Sequence, residues 1–396
     1  MEEPLRGASL NNLAHHHWLA DEPAEALVWA CWATNSHFWN VAAVDPRAWR
    51  TLGNVLLDHG RYCEAEQSFR LADPDLKVFQ VQWGLALALE GQRNWLASAS
   101  YAEARYMATP LPTGALRPPH WLGWPDVEEL SLWDEQGFGD SIQFSRWLPS
   151  LLKATSSEAL SVSLMVRPPL LRLFQHGLSW LGPQLSVVER DSSPQSTCHG
   201  SLLSLPWLLH RSGEGSAAAL PTQPWLQFEQ HDQPSAERRR VGLIWAAGQY
   251  NDNAYLRREA GKKTLAQEDL QALHAQILST DCDPVCLQSG TERSMADGLS
   301  FEEVLTPGSD FYALALAMQR CDLVISVDTA AAHLAGAMGK PCWLLLPWAA
   351  APRWGCSGTT SWLYPSFRLF RQLRPKQWGS VVDAIGMELR SWSSFR

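Results

Sequence analysis

Residues 323–347 constrain the fold of this chain more than any other stretch. Leu323-Val-Ile-Ser-Val327 is a short, apolar, β-branched run, the composition of a strand buried on both faces of a parallel sheet. Asp328 and Thr329 end the run. Either can cap a following helix, because a short side-chain oxygen accepts a free N–H of the first turn. The pattern predicts an alanine-rich helix over 330–338, stopped by Gly339 and Pro341, and a second buried strand over 343–346. In such a unit the carboxyl ends of the strands face the ligand crevice. Asp328, Thr329 and His333 then belong to one candidate site, with the helix N-terminus offering N–H groups to an anion. Each also has a plainer explanation: a helix cap for Asp328 or Thr329, a satisfied half-buried histidine for His333.

A second polar turn lies far upstream. Leu130 to Trp133 reads as a strand, Gly137 and Gly139 as a turn where backbone can approach a ligand, and Asp140-Ser141 as the start of an amphipathic helix. Asp140 is either a plain N-cap or a functional carboxylate at a strand's carboxyl end. Further strands are predicted over 160–166, 185–188, 240–245 and 284–288, and helices over 168–176 and 311–318. His199 begins a turn and short helix, Thr264 caps a helix running to Leu278, and a last helix covers 376–390. Arg257, Arg258, Lys262 and Lys263 form a local cationic cluster, which is either a solvated basic loop or a seat for pyrophosphate.

Residues 1–108 are helical throughout. Trp49, Leu52, Gly53, Leu56, Ala65, Phe69 and Ala72 have the spacing of two interlocking antiparallel helices, and resemble a tetratricopeptide repeat. Irregular copies flank this unit, one with Leu10, Leu13, Ala14, Ala26, Ala30 and Ala33, the other around Trp83, Leu87, Gly91 and Ala99. Such an array either holds an acceptor or partner on its concave surface or caps the next domain. His15-His16-His17 points three ways on a helix and suits a solvated face rather than a metal. Five prolines in 109–129 mark an extended linker, and 212–238 is a polar connector. The expected domains are therefore helical repeats (1–108), linker (109–129), an acceptor-side Rossmann-like domain (130–235) and a donor-side one (236–396).

The pieces Glu135-Gln-Gly-Phe-Gly-Asp140-Ser-Ile-Gln-Phe, Leu202-Leu-Ser-Leu-Pro206, Val241-Gly-Leu-Ile-Trp245, Cys286-Leu-Gln288, Asp322 through Pro347 and Trp362 through Gln372 occur in one order. In that order they resemble the heptosyltransferase family, glycosyltransferase family 9. More narrowly, the chain is similar to bacterial proteins in which tetratricopeptide repeats precede such a domain. The resemblance implies a GT-B fold, two Rossmann-like domains facing across a cleft. It implies Asp140 as general base toward the acceptor, and Lys263, Asp328, Thr329 and His333 around the donor, with Gln288 where the donor pocket continues. Gly137 and Gly139 frame the same pocket. The chain departs from the family at Ala350-Ala351-Pro352-Arg353-Trp354, where relatives read Pro-Asp-Trp-Arg-Trp, and at Thr360, near which relatives carry an acidic residue. The basic segment after Asn251-Asp252 is also longer.

The implied activity is inverting transfer of a sugar from a nucleotide sugar to an unknown acceptor, protein or glycan. The nucleotide sugar is a co-substrate, and no cofactor is expected. No Asp-x-Asp motif is present, so no metal is expected either. The alternative is a non-catalytic scaffold that keeps a degenerate transferase domain beside a peptide-binding array. A net charge of −9 argues against a nucleic-acid surface. No apolar run approaches the ~20 residues of a membrane span, and Met1-Glu2-Glu3-Pro4 lacks an apolar signal core, so the expectation is a cytoplasmic protein. The eight cysteines are scattered and lack zinc-ligand spacing.

Overall fold

The computed structural model describes residues 3–35, 44–108, 127–154, 160–190, 196, 198–211, 219–229, 238–248 and 253–394. Most of the expected linker and of the polar connector lies outside them, as do Asn251 and Asp252.

The chain opens with α1 (Glu3–Leu19), α2 (Pro23–Ala33), α3 (Pro46–Asp58), α4 (Tyr62–Ala72), α5 (Phe79–Gly91) and α6 (Trp95–Ala102). Pro23 and Pro46 stand in first turns, where their missing N–H costs nothing. Successive helices pack on one another. Small residues decide how closely: the Phe69 ring fills the space beside Gly53 and Gly84, where a Cβ would stand 2.7 and 2.4 Å from ring carbons. His15 and His16 are exposed.

The first sheet comprises β1 (Glu129–Trp133), β2 (Ser161–Val166), β3 (Leu185–Glu189) and β4 (Cys198–Ser201), all parallel, in the order β3-β2-β1-β4. Helix α7 (Phe138–Phe144) follows β1, and α8 (Pro168–Gly177) follows β2. β4 corrects the expectation of a turn at His199. Its four residues lack β-branched side chains, but all are buried, and pairing with β1 overrides their weak strand preference.

The second sheet is also parallel. It contains β5 (Arg239–Ile244), β6 (Cys282–Cys286), β7 (Glu302–Glu303), β8 (Leu323–Val327), β9 (Cys342–Leu346) and β10 (Phe367–Arg371), ordered β10-β9-β8-β5-β6-β7. The associated helices are α9 (Ala254–Lys263), α10 (Gln267–Leu278), α11 (Phe311–Gln319), α12 (Ala330–Ala337) and α13 (Gly379–Ser394). Two parallel-sheet α/β units fit the GT-B plan. In each sheet the connection reverses beside the first strand, which places the crevice past the carboxyl ends of β1 and β4 and of β5 and β8.

Three boundaries move. Thr264 ends a helix rather than starting one: the basic segment is itself helical, capped by Asn253, whose Oδ1 accepts the Leu256 N–H at 3.1 Å. The next helix begins at Gln267. β6 starts at Cys282 and ends at Cys286, short of Gln288, and the last helix begins at Gly379.

The helical array is docked on both α/β units. Arg258 of α9 is buried, with its guanidinium on Asp58 and, at 3.3 Å, on Asp21. Arg105 bonds Glu103 at 2.6 Å, Glu135 at 2.8 Å and the Ser204 hydroxyl at 2.5 Å. Trp95 stacks on Trp147, centroids 5.5 Å apart.

Candidate active site

The two polar turns meet. After β1 the chain turns through Gln136, at φ 57°, into α7, whose first turn carries Asp140. The Asp140 carboxylate reaches back to accept the Gly137 N–H at 3.2 Å. After β8, Asp328 and Thr329 lead into α12. Thr329 stands at the N-cap, but its hydroxyl caps nothing: Oγ1 is buried with no hydrogen-bond partner among the described residues. The two helices touch at Gly139, where a Cβ would lie 2.9 Å from His333 Cδ2 and 3.2 Å from Ala330 Cα. Gly139 is thus required by the close approach of the two helices. Gly137 has an ordinary extended φ of −76° and serves as the N-cap of α7.

Arg353 ties the turns together. Its Nη1 donates to Asp140 Oδ1 at 3.1 Å and to Gln143 Oε1 at 2.6 Å, while Nε stands 4.0 Å from Glu90 Oε1 of α5. The field of Glu90, Asp140 and Asp328 outweighs burial and holds the Arg353 guanidinium firmly charged. Asp328 pairs with Lys263 Nζ at 2.9 Å. Burial alone would raise the Asp328 carboxyl, but Lys263 and Arg353 bring it down to about 2, so it is ionised. Lys263 is pushed the other way: burial opposes its charge, Asp328 and Glu259 restore it, and its ordinary value is exceeded.

His333 is buried on the first turn of α12. Its Nδ1 bonds the Tyr364 hydroxyl at 2.7 Å, and its ring stacks on Trp354 with centroids 5.5 Å apart. Burial and the nearby Arg353 lower it to about 3, so the imidazole is neutral near pH 7. Behind Tyr364, the fully buried Arg146 guanidinium lies 4.7 Å from its ring and 4.6 Å from Trp225.

Two expected donor contacts are engaged elsewhere. Gln288 Oε1 accepts the N–H groups of Trp245 at 3.1 Å and Ala246 at 3.0 Å, and its Nε2 donates to Ser289 O at 2.8 Å. The side chain therefore clamps the end of β5. In the cationic cluster, Arg258 serves the helical array and Lys262 pairs with Glu259 at 2.7 Å. Lys263 reaches the Asp328 turn.

Two hollows flank this centre. A cleft of ≈ 470 Å³ past β5 is bordered by Ala247, Lys262, Thr264, Glu292, Lys376 and Trp378. A narrow chamber of ≈ 60 Å³ lies between the helical array and α7, bordered by Trp83, Glu90, Trp95, Asp140, Phe144 and Arg353. Sequence reasoning singled out Asp140, Lys263, Asp328 and His333 but missed Arg353, Tyr364 and Glu90. For Glu90 one signal existed, a carboxylate directly after the apolar run Leu85-Ala-Leu-Ala-Leu89 and before Gly91. Among the described residues no group of three His, Cys, Asp or Glu side chains is placed to hold a metal. No described helix is long and apolar enough to cross a membrane.

No family model matches the sequence, and no curated protein does. Solved structures do match. The ADP-heptose LPS heptosyltransferase II of E. coli is 12% identical, with a TM-score of 0.46 over 66% of this chain and 98% of that one. A glycosyltransferase of family 9 from Veillonella parvula is 10% identical, with a TM-score of 0.43 over 64% of this chain and 88% of its own. An O-GlcNAc transferase from Thermobaculum terrenum is 14% identical and covers 99% of this chain and 92% of its own, at a TM-score of 0.27. At such distances, what this chain does is read from its own residues.

Proposed function

We infer that the protein is an inverting glycosyltransferase that moves a sugar from a nucleotide sugar to an acceptor hydroxyl, without a metal. The observation that carries this reading is the meeting of Asp140 with Lys263, Asp328 and His333 around one guanidinium, from segments far apart in the chain. Glycosyl transfer needs a base for the acceptor proton and positive charge for the departing nucleoside diphosphate. Asp140 takes the proton of the acceptor hydroxyl as the acceptor oxygen bonds the anomeric carbon. The glycosidic C–O bond breaks with its electron pair passing to the diphosphate. Lys263 and the N-terminal N–H groups of α12 face that developing charge. The cleft of ≈ 470 Å³ adjoins Lys263 through Lys262 and Thr264, and its size suits a nucleotide. In this reading the helices form a tetratricopeptide-like array on the acceptor side of the site.

The test is turnover of UDP-, GDP- and ADP-sugars by the purified chain. Asp140→Asn is expected to lower kcat by about 10²–10⁴, the usual contribution of a general base. A variant as active as wild type would remove Asp140 from that role.

A second reading, a scaffold with a degenerate transferase domain, is favoured by one observation: Asp140 and Lys263 are each already neutralised, by Arg353 and Asp328. Calorimetry separates the two readings, since a scaffold binds none of the nucleotide sugars.

A further inference from the structure

The chamber between the helical array and α7 ends on an unequal sharing of one cation. Arg353 stands between two carboxylates, bonded to Asp140 at 3.1 Å and standing off Glu90 by 4.0 Å. Its Nε, the atom nearest Glu90, is buried and has no hydrogen-bond partner among the described residues. Glu90 itself is only 6% exposed, at the end of the α5 face that borders the chamber. Leaving a buried N–H and a nearby carboxylate unjoined costs stability that a small movement would recover. A shift of about 1 Å would bring Nε to about 2.9 Å from Glu90, ordinary bonding distance.

Asp140 needs such a movement. One of its oxygens accepts the Gly137 N–H and the other accepts Arg353, and as long as the guanidinium stays there its charge weakens Asp140 as a base toward an acceptor hydroxyl. The backbone N–H is fixed by α7, whereas the guanidinium is on a side chain with a second anion beside it.

We propose that Glu90, supplied by the helical array, is a positioning residue of the transfer site, receiving Arg353 as an acceptor hydroxyl engages Asp140. This rests on the glycosyltransferase reading above. The array is then part of the reaction centre, and its contribution is electrostatic as well as steric. The other ionisable groups around Arg353 and Asp140 are Asp328, His333 and Lys263 from the donor-side unit, Arg146 beyond Tyr364, and Arg105 on the chamber wall.

The test uses Glu90→Gln and Glu90→Asp in the full chain. In Glu90→Gln the guanidinium has no second carboxyl group to move to and stays on Asp140, which weakens Asp140 as a base. Burial raises the Glu90 carboxyl and Arg353 opposes that rise. The expected result is a kcat lowered about tenfold or more at unchanged donor KM, with the acidic limb of the kcat/KM profile moved to lower pH and with recovery in Glu90→Asp. An unchanged kcat and limb in Glu90→Gln overturns the proposal. A second measurement does not depend on turnover: the melting temperatures of Glu90→Gln, Asp140→Asn and the double variant. Sharing of one guanidinium predicts a double loss greater than the sum, because only then does Arg353 lack both chamber carboxylates. Strict additivity overturns the sharing. Non-additivity without turnover of any nucleotide sugar would sink the transferase reading and leave the sharing in place.

Discussion

His333 is a buried group of the site whose titration burial lowers. Its folded value of about 3 lies below the ordinary 6.5, so the unfolded chain takes up the proton first. Its contribution to stability is therefore complete above about pH 6.5 and is lost as pH falls toward 3. Asp328, held at about 2, behaves in the same direction over a lower window, from about 4 downward. Melting temperatures taken from pH 7 to pH 4 should fall more steeply for wild type than for His333→Gln, the difference between slopes reporting this one group. Equal slopes would mean that His333 is not held neutral. The sequence placed His333 beside Asp328 and Thr329 because all three ride on one local turn. Arg353 and Tyr364 stand in segments compared with the family, but nothing local paired them with His333, since those contacts exist only once the loop after β9 folds back over α12.

At the scale of elements, the contact between α7 and α12 sets the geometry of the centre. Gly139→Ala places a methyl within 2.9 Å of the His333 ring and 3.2 Å of Ala330 Cα, backbone that cannot retreat easily. We expect a loss of about 1–3 kcal/mol in denaturant unfolding, the usual penalty for overpacking. Gly261→Ala, inside α9 with open space around it, should instead stabilise by about 0.5–1 kcal/mol. Comparable losses at both positions would refute the tight helix contact. Elements buried on two faces, such as β8 and β9, were legible because apolar run, polar stop and glycine all agree. α9 was not legible as a helix: its charged residues hide the buried Arg258 and Ala260, the first of which bonds the array. β4 failed for the opposite reason, since its strand character comes from β1 rather than from its own side chains.

For the whole molecule, the ion pairs of Arg258 and Arg105 decide whether the helical array and the α/β units melt together. Arg258→Met leaves Asp21 and Asp58 without their guanidinium, and breaking such a buried cluster from one side costs about 3–5 kcal/mol. Calorimetry of that variant should show the melting peak broadened or divided, whereas an undivided peak at the wild-type temperature would show that the array is held by other means. The two-sheet plan was readable from the alternation of strands and helices. That the array would touch both sheets was not, because each anchor joins residues remote in sequence. Yet those anchors govern movement. One set of helices grips the first α/β unit through Arg105 and the second through Arg258, like a tie-bar bolted across a pair of jaws. Rocking one jaw against the other then strains a bolt as well as the direct α7–α12 contact, so how easily the jaws part is set partly outside the jaws themselves.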